Sequence, residues 1–192
     1  RKNDLKKHLR LVEEFSLNNR TNKNLILIVL DTVRAQDLPM YGGNAEMPFL
    51  SKLTENFTTY KDAYAASNWT IPSHASLFTG LYPHNHNTKT GKNKLDESIP
   101  PMADILKKAG YDTYCITDNY LVCPENNLAK GFDHYFHTHH EFGGAEKKIK
   151  KISSKLKDNK FFLFMNLMTA HLPYTINPYF FKSLAREQIK TV

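Results

Sequence analysis

The sequence is poor in cysteine and contains no long apolar run, and each of these absences excludes a class of protein. Only two of its 192 residues are cysteine, Cys115 and Cys123, which is too few for a disulfide scaffold and is typical of a reducing cytosol. The longest apolar run, Leu25–Leu30, is far shorter than the roughly 20 residues of a membrane-spanning helix. Charged residues occur throughout the first 20 positions, which therefore lack the apolar segment of a secretory signal. We expect a cytoplasmic protein with no membrane span.

The composition is that of a globular protein with a basic excess. Apolar residues make up 41% of the chain and charged residues 23%, which excludes a disordered tail and a collagen-like repeat. Lys and Arg outnumber Asp and Glu by 26 to 19, a balance that favours an anionic substrate, an acidic partner or nucleic acid. Much of the excess lies in residues 147–160, which we interpret as the solvated face of one helix. This segment lacks interleaved aromatic residues and any recognisable motif, so we expect no nucleic-acid partner.

Segments with strand-like and helical apolar spacing alternate along the chain. The predicted strands are 25–30, 111–117 and 161–167, and the predicted helices are 4–18, 48–57, 72–80, 101–109 and 145–156. Strands that alternate with helices of about ten residues predict an α/β fold, with a mainly parallel sheet and helices on both faces. The simplest organisation is an N-terminal helix and connection, residues 1–23, followed by one domain, residues 24–192.

Three of these segments carry more specific expectations. The run 25–30 shows no alternation, which predicts a strand buried on both faces. Spacing in the helix 48–57 predicts that Phe49 and Phe57 face inward. Thr70 comes just before the helix 72–80, at a position where a hydroxyl commonly caps the first turn.

Polar side chains follow the predicted strands. Asp31 comes directly after the first strand, Asn119 shortly after the second and His171 shortly after the third. Because the carboxyl ends of parallel strands meet at one edge of a sheet, we expect these side chains to converge there. Thr70 would lie beside the positive end of a helix, which favours a nucleophile that develops negative charge. A cation held by the aspartate would lower the pKa of the threonine hydroxyl, so the set predicts metal-assisted attack on an anionic ester.

Several short motifs form a collinear series. They are Leu30-Asp-Thr-Val-Arg34, Met47-Pro-Phe-Leu50, Phe57-Thr-Thr-Tyr60, the segment from Trp69 to His84, Ala109-Gly-Tyr111, Gly131-Phe-Asp133 and the segment from Phe161 to Tyr174. Together they resemble the sulfatase family of the alkaline phosphatase superfamily, over about residues 24 to 176. A series of this many pieces is specific for the family and much less specific for the substrate. The resemblance implies an alkaline-phosphatase-like α/β fold.

The resemblance also implies roles for individual residues. Asp31 matches the first metal-binding aspartate, and Thr70 matches the nucleophile, which would also contact the metal. His171 matches a histidine that lines the ester-binding pocket. His74 falls where active sulfatases usually have arginine, and either histidine could assist the leaving oxygen as an acid or position it.

The roles of three further positions stay open. Asn119 is a candidate for binding the ester oxyanion, although the lysine and histidine usual after this strand are not found here. Arg34 is either a clamp for the substrate or a structural ion-pair partner, and the second role is the more common one. Thr32 stands where many members have a second metal-binding aspartate.

Two departures from the family bear on the activity. Sulfatases convert a cysteine or serine to formylglycine, and threonine is not a substrate for that conversion, so Thr70 would act as a plain alkoxide. The family's remaining metal ligands lie in an Asp-His-Gly-like segment after the position of His171, and no such segment occurs before Val192. We therefore expect a truncated, N-terminal portion of the fold that binds metal weakly and need not be active by itself.

The function that fits these observations is a sulfatase-like, metal-dependent hydrolase of small sulfate or phosphate esters. Its cofactor would be a divalent cation: Ca, Mg, Mn or Zn. Two alternatives stay open, a degenerate domain that binds an anionic ligand or partner without turnover, and a phosphotransferase or phosphodiesterase of the same superfamily. The oligomeric state does not follow from the sequence.

Overall fold

The computed structural model describes residues 6, 7, 10, 11, 14, 23–139, 141, 143–157 and 159–172. In the predicted leading helix, 4–18, the five described residues are helical and exposed, and the guanidinium of Arg10 donates to the carboxylate of Glu14 at 2.9 Å. The rest of that helix and residues 173–192 lie outside the described residues. In the part of the chain that is described, no helix is long and apolar enough to cross a bilayer.

Four parallel strands form the sheet of the described chain. They are β1 Leu25–Leu30, β2 Asp112–Thr117, β3 His134–His137 and β4 Phe161–Leu167, in the spatial order β1-β4-β2-β3. Each adjacent pair is parallel, which confirms the predicted sheet. The last of these strands in the sequence, β4, lies between β1 and β2, and six of its seven residues are buried. β3 is not predicted from the sequence, because its four residues are too few and too polar to form a recognisable strand pattern.

Helices cover the sheet on both sides, as predicted. The helices described after β1 are α1 Pro48–Thr54, α2 Thr70–Thr79, α3 Pro83–His86, α4 Met102–Lys108 and α5 Gly144–Ile152, with 3₁₀ turns at Ala35–Asp37, Pro39–Tyr41 and Lys155–Lys157. Of these, α2, α4 and α5 pack against the sheet. Side chains alternate along a strand, so β4 supplies both cores. Phe162 and Phe164 pack against α2 and α4, whereas Leu163 and Met165 pack with Ile152 of α5. Asn166, two residues after Phe164, therefore belongs to the face that α2 covers.

The prediction that β1 is buried on both faces is wrong. Leu27 and Val29 pack against the core shared with α2, but Ile26 and Ile28 on the opposite face are 58% and 49% exposed. β1 lies at one edge of the described sheet, and α5 packs against β2 and β4 on that face without reaching it. An apolar run indicates a strand that can be buried, but what covers it depends on distant segments.

Helix α1 also differs from the prediction. It ends at Thr54 rather than at residue 57, and Phe49 and Phe57 are 79% and 65% exposed. The expectation that these two rings face inward is therefore wrong. Only two turns of helix follow Pro48, which is too short for helical spacing to specify a buried face.

Candidate active site

Three strand ends and the start of one helix meet at the carboxyl edge of the sheet. Asp31 directly follows β1, Asn119 lies two residues after β2, and Asn166 is the penultimate residue of β4. Asn166 is in register with Val29 of β1 and Thr117 of β2, so it lies between the other two positions. The predicted convergence of Asp31 and Asn119 is therefore what the structure has.

Helix α2 begins two residues earlier than predicted and carries Thr70 as its first residue. Trp69 is the N-cap, with extended backbone angles and no capping side-chain bond, so the expectation that Thr70 caps the helix is wrong. Pro72 occupies the first turn, where its missing N–H removes no helical hydrogen bond. The helix ends at Thr79, and its C-cap Gly80 has a left-handed φ of 68° and donates its N–H to the carbonyl of Ser76.

Asn119 connects the aspartate to the threonine. Its Nδ2 donates to Oδ2 of Asp31 at 3.0 Å and to Oγ1 of Thr70 at 3.1 Å. The orientation of this amide is set from behind, since its Oδ1 accepts the backbone N–H of Leu121 at 2.9 Å and the side chain is almost fully buried. The backbone N–H of Asn119 also donates to the hydroxyl of Thr117. Asn119 thus presents a fixed N–H pair to the carboxylate and the hydroxyl.

Asn166 and His74 close this arrangement into a ring. Nδ2 of Asn166 lies 3.2 Å from Oδ2 of Asp31 and 3.0 Å from Nε2 of His74, while Nδ1 of His74 lies 2.9 Å from the carbonyl oxygen of Thr70. We call the five residues Asp31, Asn119, Thr70, His74 and Asn166 the polar ring. An amide nitrogen and a carbonyl oxygen allow only one assignment, in which Nδ1 donates and Nε2 accepts. The imidazole of His74 is therefore neutral in this network.

The surroundings of His74 favour that neutral form. Burial lowers the pKa of His74, and the opposing effects of the Thr70 carbonyl and of the charge on Asp31 are smaller. The imidazole of His74 contacts the rings of Phe78 and Phe164 edge-on, with a centroid distance of 6.0 Å in both cases. Both ring nitrogens are already engaged, so His74 is held as a support for Thr70.

Arg34 and His171 lie outside the polar ring, in a neighbouring cavity of about 910 Å³. The cavity forms where the loop after β1 meets the loop after β4, and Thr32 also lines it. Arg34 makes two hydrogen bonds to the carboxylate of Asp37, at 2.8 and 2.9 Å, and the imidazole of His171 contacts the carbonyl of Leu172. Arg34 and His171 therefore lie at the same edge of the sheet as the polar ring, as their place after the strands predicts, but they do not contact Thr70.

Two oxygen groups of the polar ring are of a kind that could bind a divalent cation. The carboxylate of Asp31 and the hydroxyl of Thr70 are oxygen ligands of the kind that Mg²⁺ and Ca²⁺ prefer. Both amides of the ring contact Oδ2 of Asp31, and no described residue bonds its Oδ1, which leaves that oxygen for a ligand. The hydroxyl of Thr32 turns away and donates to the carbonyl of Ala170 at 2.8 Å, with a left-handed φ of 61°. Across the described residues, no three His, Cys, Asp or Glu side chains gather as a metal site.

Asn166 is not predicted from the sequence as a site residue. It lies within the apolar strand Phe161–Leu167, whereas the predicted site residues follow strands or adjoin the start of a helix. The signal that could have found it is a single amide in a strand of otherwise apolar residues, because a buried polar group needs a partner.

Comparison with known proteins gives the family. The family model for sulfatases matches residues 23–191. An N-acetylgalactosamine-6-O-sulfatase of Bacteroides thetaiotaomicron is 35% identical over 101 residues, which is 50% of this chain and 20% of that protein. An arylsulfatase of Clostridium perfringens is 30% identical over 143 residues, which is 70% of this chain and 29% of that protein. The chain thus spans less than a third of the length of either relative.

A solved structure supports the fold. The protein BT4656, in complex with its substrate D-glucosamine-2-N,6-O-disulfate, superposes with a TM-score of 0.69 at 18% identity. The superposition covers 83% of this chain and 37% of that one, and identity this low is evidence of the fold alone. Because the sulfatase family model matches nearly the whole of this chain, from residue 23 to residue 191, the chain belongs to the sulfatase family.

Proposed function

We propose that this chain contributes the nucleophile of an ester hydrolase, in which the Thr70 hydroxyl loses its proton and attacks the sulfur or phosphorus of an anionic ester. The bond from that atom to the leaving oxygen breaks, the leaving oxygen takes up a proton, and water then hydrolyses the covalent ester on Thr70. The observation that carries the proposal is the single amide of Asn119, which contacts both the carboxylate of Asp31 and the hydroxyl of Thr70. A hydroxyl held beside an aspartate at the start of a ten-residue helix is in a suitable place to lose its proton and attack.

The ring would stabilise Thr70 as it develops negative charge. The N–H of Asn119 already donates to Oγ1, and a hydrogen bond to an oxyanion is about twice as strong as one to a neutral oxygen. The helix end adds a positive partial charge at the same atom. Donors that are in place before the reaction need no reorganisation when the charge appears, which is the largest contribution in many enzymes.

The neighbouring cavity is the candidate place for the rest of the substrate. Thr32 and Leu30, on either side of Asp31 in the sequence, both line it, so it adjoins the ring. His171 would assist the leaving oxygen there, and Arg34 would contact the substrate beyond the ester. Asp31 and Thr70 would hold a divalent cation, whose charge would lower the pKa of the hydroxyl.

The substrate class proposed is a small anionic ester. The net charge of +7 and the sulfated sugar bound by BT4656 both support an anion. The relatives support a sulfate ester, because they are an N-acetylgalactosamine-6-O-sulfatase and an arylsulfatase. A phosphate ester is the second candidate, and the observation that favours it is the secondary alcohol of Thr70, which would act unmodified.

The test is a comparison of Thr70→Ala with the unchanged chain on aryl sulfate, phosphate monoester and phosphodiester substrates, each with Ca, Mg, Mn and Zn. We expect kcat to fall by about 10³-fold or more on the preferred ester, because the attacking atom is removed. Thr54→Ala is the matched control, since the hydroxyl of Thr54 also lies in a helix and bonds only the carbonyl of Ser51. Equal activity of Thr70→Ala and the unchanged chain would end the proposal. Binding of a sulfate or phosphate ester without any turnover would favour the degenerate binding domain.

A further inference from the structure

The side chain of Asn166 is buried in a way that the fold does not require. Its exposed fraction is 0%, and the other six residues of β4 are apolar. Its Oδ1 is buried without a hydrogen-bond partner among the described residues. An unpaired buried amide oxygen costs free energy, and an apolar side chain of the same size would avoid that cost. What the amide adds is the pair of contacts that its nitrogen makes.

Both contacts of this nitrogen must be donations. A primary amide nitrogen carries two N–H groups and accepts no hydrogen bond. One N–H points to Oδ2 of Asp31 and the other to Nε2 of His74. The second contact requires that Nε2 be unprotonated, so the single proton of the neutral imidazole lies on Nδ1. That proton is donated to the carbonyl of Thr70.

One amide therefore sets two features of the ring. It donates to Nε2 of His74 and so holds the far side of the imidazole that supports the first residue of α2. It also fixes the rotation of the Asp31 carboxylate, because Oδ2 is held by amides from two sides, Asn119 after β2 and Asn166 in β4. The remaining oxygen, Oδ1, is then the one turned away from both amides.

We infer that Asn166 is a positioning residue, which holds Asp31 and His74 in the orientation that presents Thr70 for attack. The inference rests on the function proposed above as far as the reaction rate is concerned. It also makes a claim about the imidazole of His74 that holds whether or not an ester is cleaved. Outer partners of this kind, which act by orienting the groups that touch the reactants, typically contribute about 10- to 100-fold in activity.

The experiment compares Asn166→Leu and Asn166→Asp with Thr113→Val in the full chain. Thr113 is a matched control because it is also a fully buried polar residue of the sheet, but its hydroxyl bonds Gly131 and Asp133, away from the ring. The first readout is the ¹⁵N spectrum of the His74 imidazole at fixed pH, which is assigned by its loss in His74→Gln. The second is kcat and KM on the preferred ester.

We expect Nδ1 of His74 to be protonated and Nε2 unprotonated in the unchanged chain and in Thr113→Val. In Asn166→Leu the signal of Nε2 should shift, because this nitrogen loses the hydrogen bond from the amide. In Asn166→Asp, Nε2 should become protonated, because a carboxylate oxygen at that position can only accept from it. On the preferred ester, kcat of Asn166→Leu should fall by about 10- to 100-fold with KM changed less than about threefold.

An unaltered Nε2 signal of His74 in a folded Asn166 variant would overturn the inference, and so would an unaltered kcat in an active chain. The two Asn166 variants are independent, so the failure of one to fold leaves the other to decide. If the unchanged chain shows no Thr70-dependent cleavage, the proposed function fails. In that case the imidazole spectrum alone upholds or refutes the positioning by Asn166.

Discussion

Replacing Asn119 by alanine removes the amide that joins Asp31 to Thr70. The N–H to Oγ1 of Thr70 at 3.1 Å would become a bond to an oxyanion during attack. Removal of one such donor typically lowers kcat by about 10²- to 10³-fold, or about 2.7–4 kcal/mol. The amide lies against the nucleophile rather than against the substrate, so we expect KM to change by less than about threefold.

The same change removes three contacts made in the folded ground state. These are the bonds to the Asp31 carboxylate and to the Thr70 hydroxyl, and the bond from Leu121 N–H to the amide oxygen. At about 1.5–3 kcal/mol for the charged partner and about 0.5–1.5 kcal/mol for each neutral one, the loss in stability should be about 2.5–6 kcal/mol. Urea denaturation measures this loss, and kinetics are then compared at a temperature where both proteins are folded.

Asn126→Ala serves as the control for Asn119→Ala. Asn126 lies in the same loop, and its amide donates to the carbonyl of Leu121 at 3.0 Å without contacting the polar ring. It should lose about 1 kcal/mol of stability and keep its kcat. If folded Asn119→Ala keeps more than a third of the unchanged kcat, the assignment of Asn119 as a donor to the nucleophile is refuted.

Three further predictions concern pH, thiol reactivity and the core. Burial lowers the pKa of His74 from its usual 6.5, so between the folded pKa and pH 6.5 the unfolded chain binds a proton that the folded chain does not. Stability should therefore fall as the pH drops below about 6.5, and the decrease between pH 7.5 and 5.5 in urea denaturation should be smaller in His74→Gln; an equal decrease would contradict this reasoning. Burial raises the pKa of the Cys115 thiol, whereas Cys123 is only partly buried. A thiol reagent at pH 8 should therefore modify Cys123 first and Cys115 only on unfolding, and peptide mass spectrometry measures both modifications. Phe164→Ala removes a fully buried ring and should lower the free energy of unfolding by about 3–5 kcal/mol in urea denaturation. Phe49→Ala removes a ring that is 79% exposed and should change it by less than about 0.5 kcal/mol. Similar losses in the two variants would refute the placement of the core.

The candidate site can be predicted from the sequence where its residues directly adjoin regular elements. Asp31 and Asn119 follow strands, and Thr70 begins a helix, so the rule that parallel strands end at one edge is enough to bring them together. Asn166 is missed because its two partners are 135 and 92 residues away in the sequence, in different elements. No local spacing encodes a contact of that kind.

Loop conformation and distant coverage account for most of the remaining differences. His171 and Arg34 lie at the expected edge of the sheet, but the turns that follow β1 and β4 direct them into a separate cavity. The left-handed backbone of Thr32, which shapes the first of these turns, is uncommon for threonine and leaves no signature in the sequence. The exposed side of β1, which carries Ile26 and Ile28, is as apolar as a side of a buried strand. Whether another element covers that side is decided elsewhere in the chain, so the sequence of β1 does not reveal it.

The most direct measurement of the central proposal is acid quenching of the protein during turnover, followed by peptide mass spectrometry. Attack by the Thr70 hydroxyl predicts a transient sulfuryl or phosphoryl group on the peptide that contains Thr70, which is absent from Thr70→Ala. The quench has to be faster than the reaction cycle. The account would be contradicted if turnover then left no sulfuryl or phosphoryl group on this peptide, or if that group were found on a residue other than Thr70.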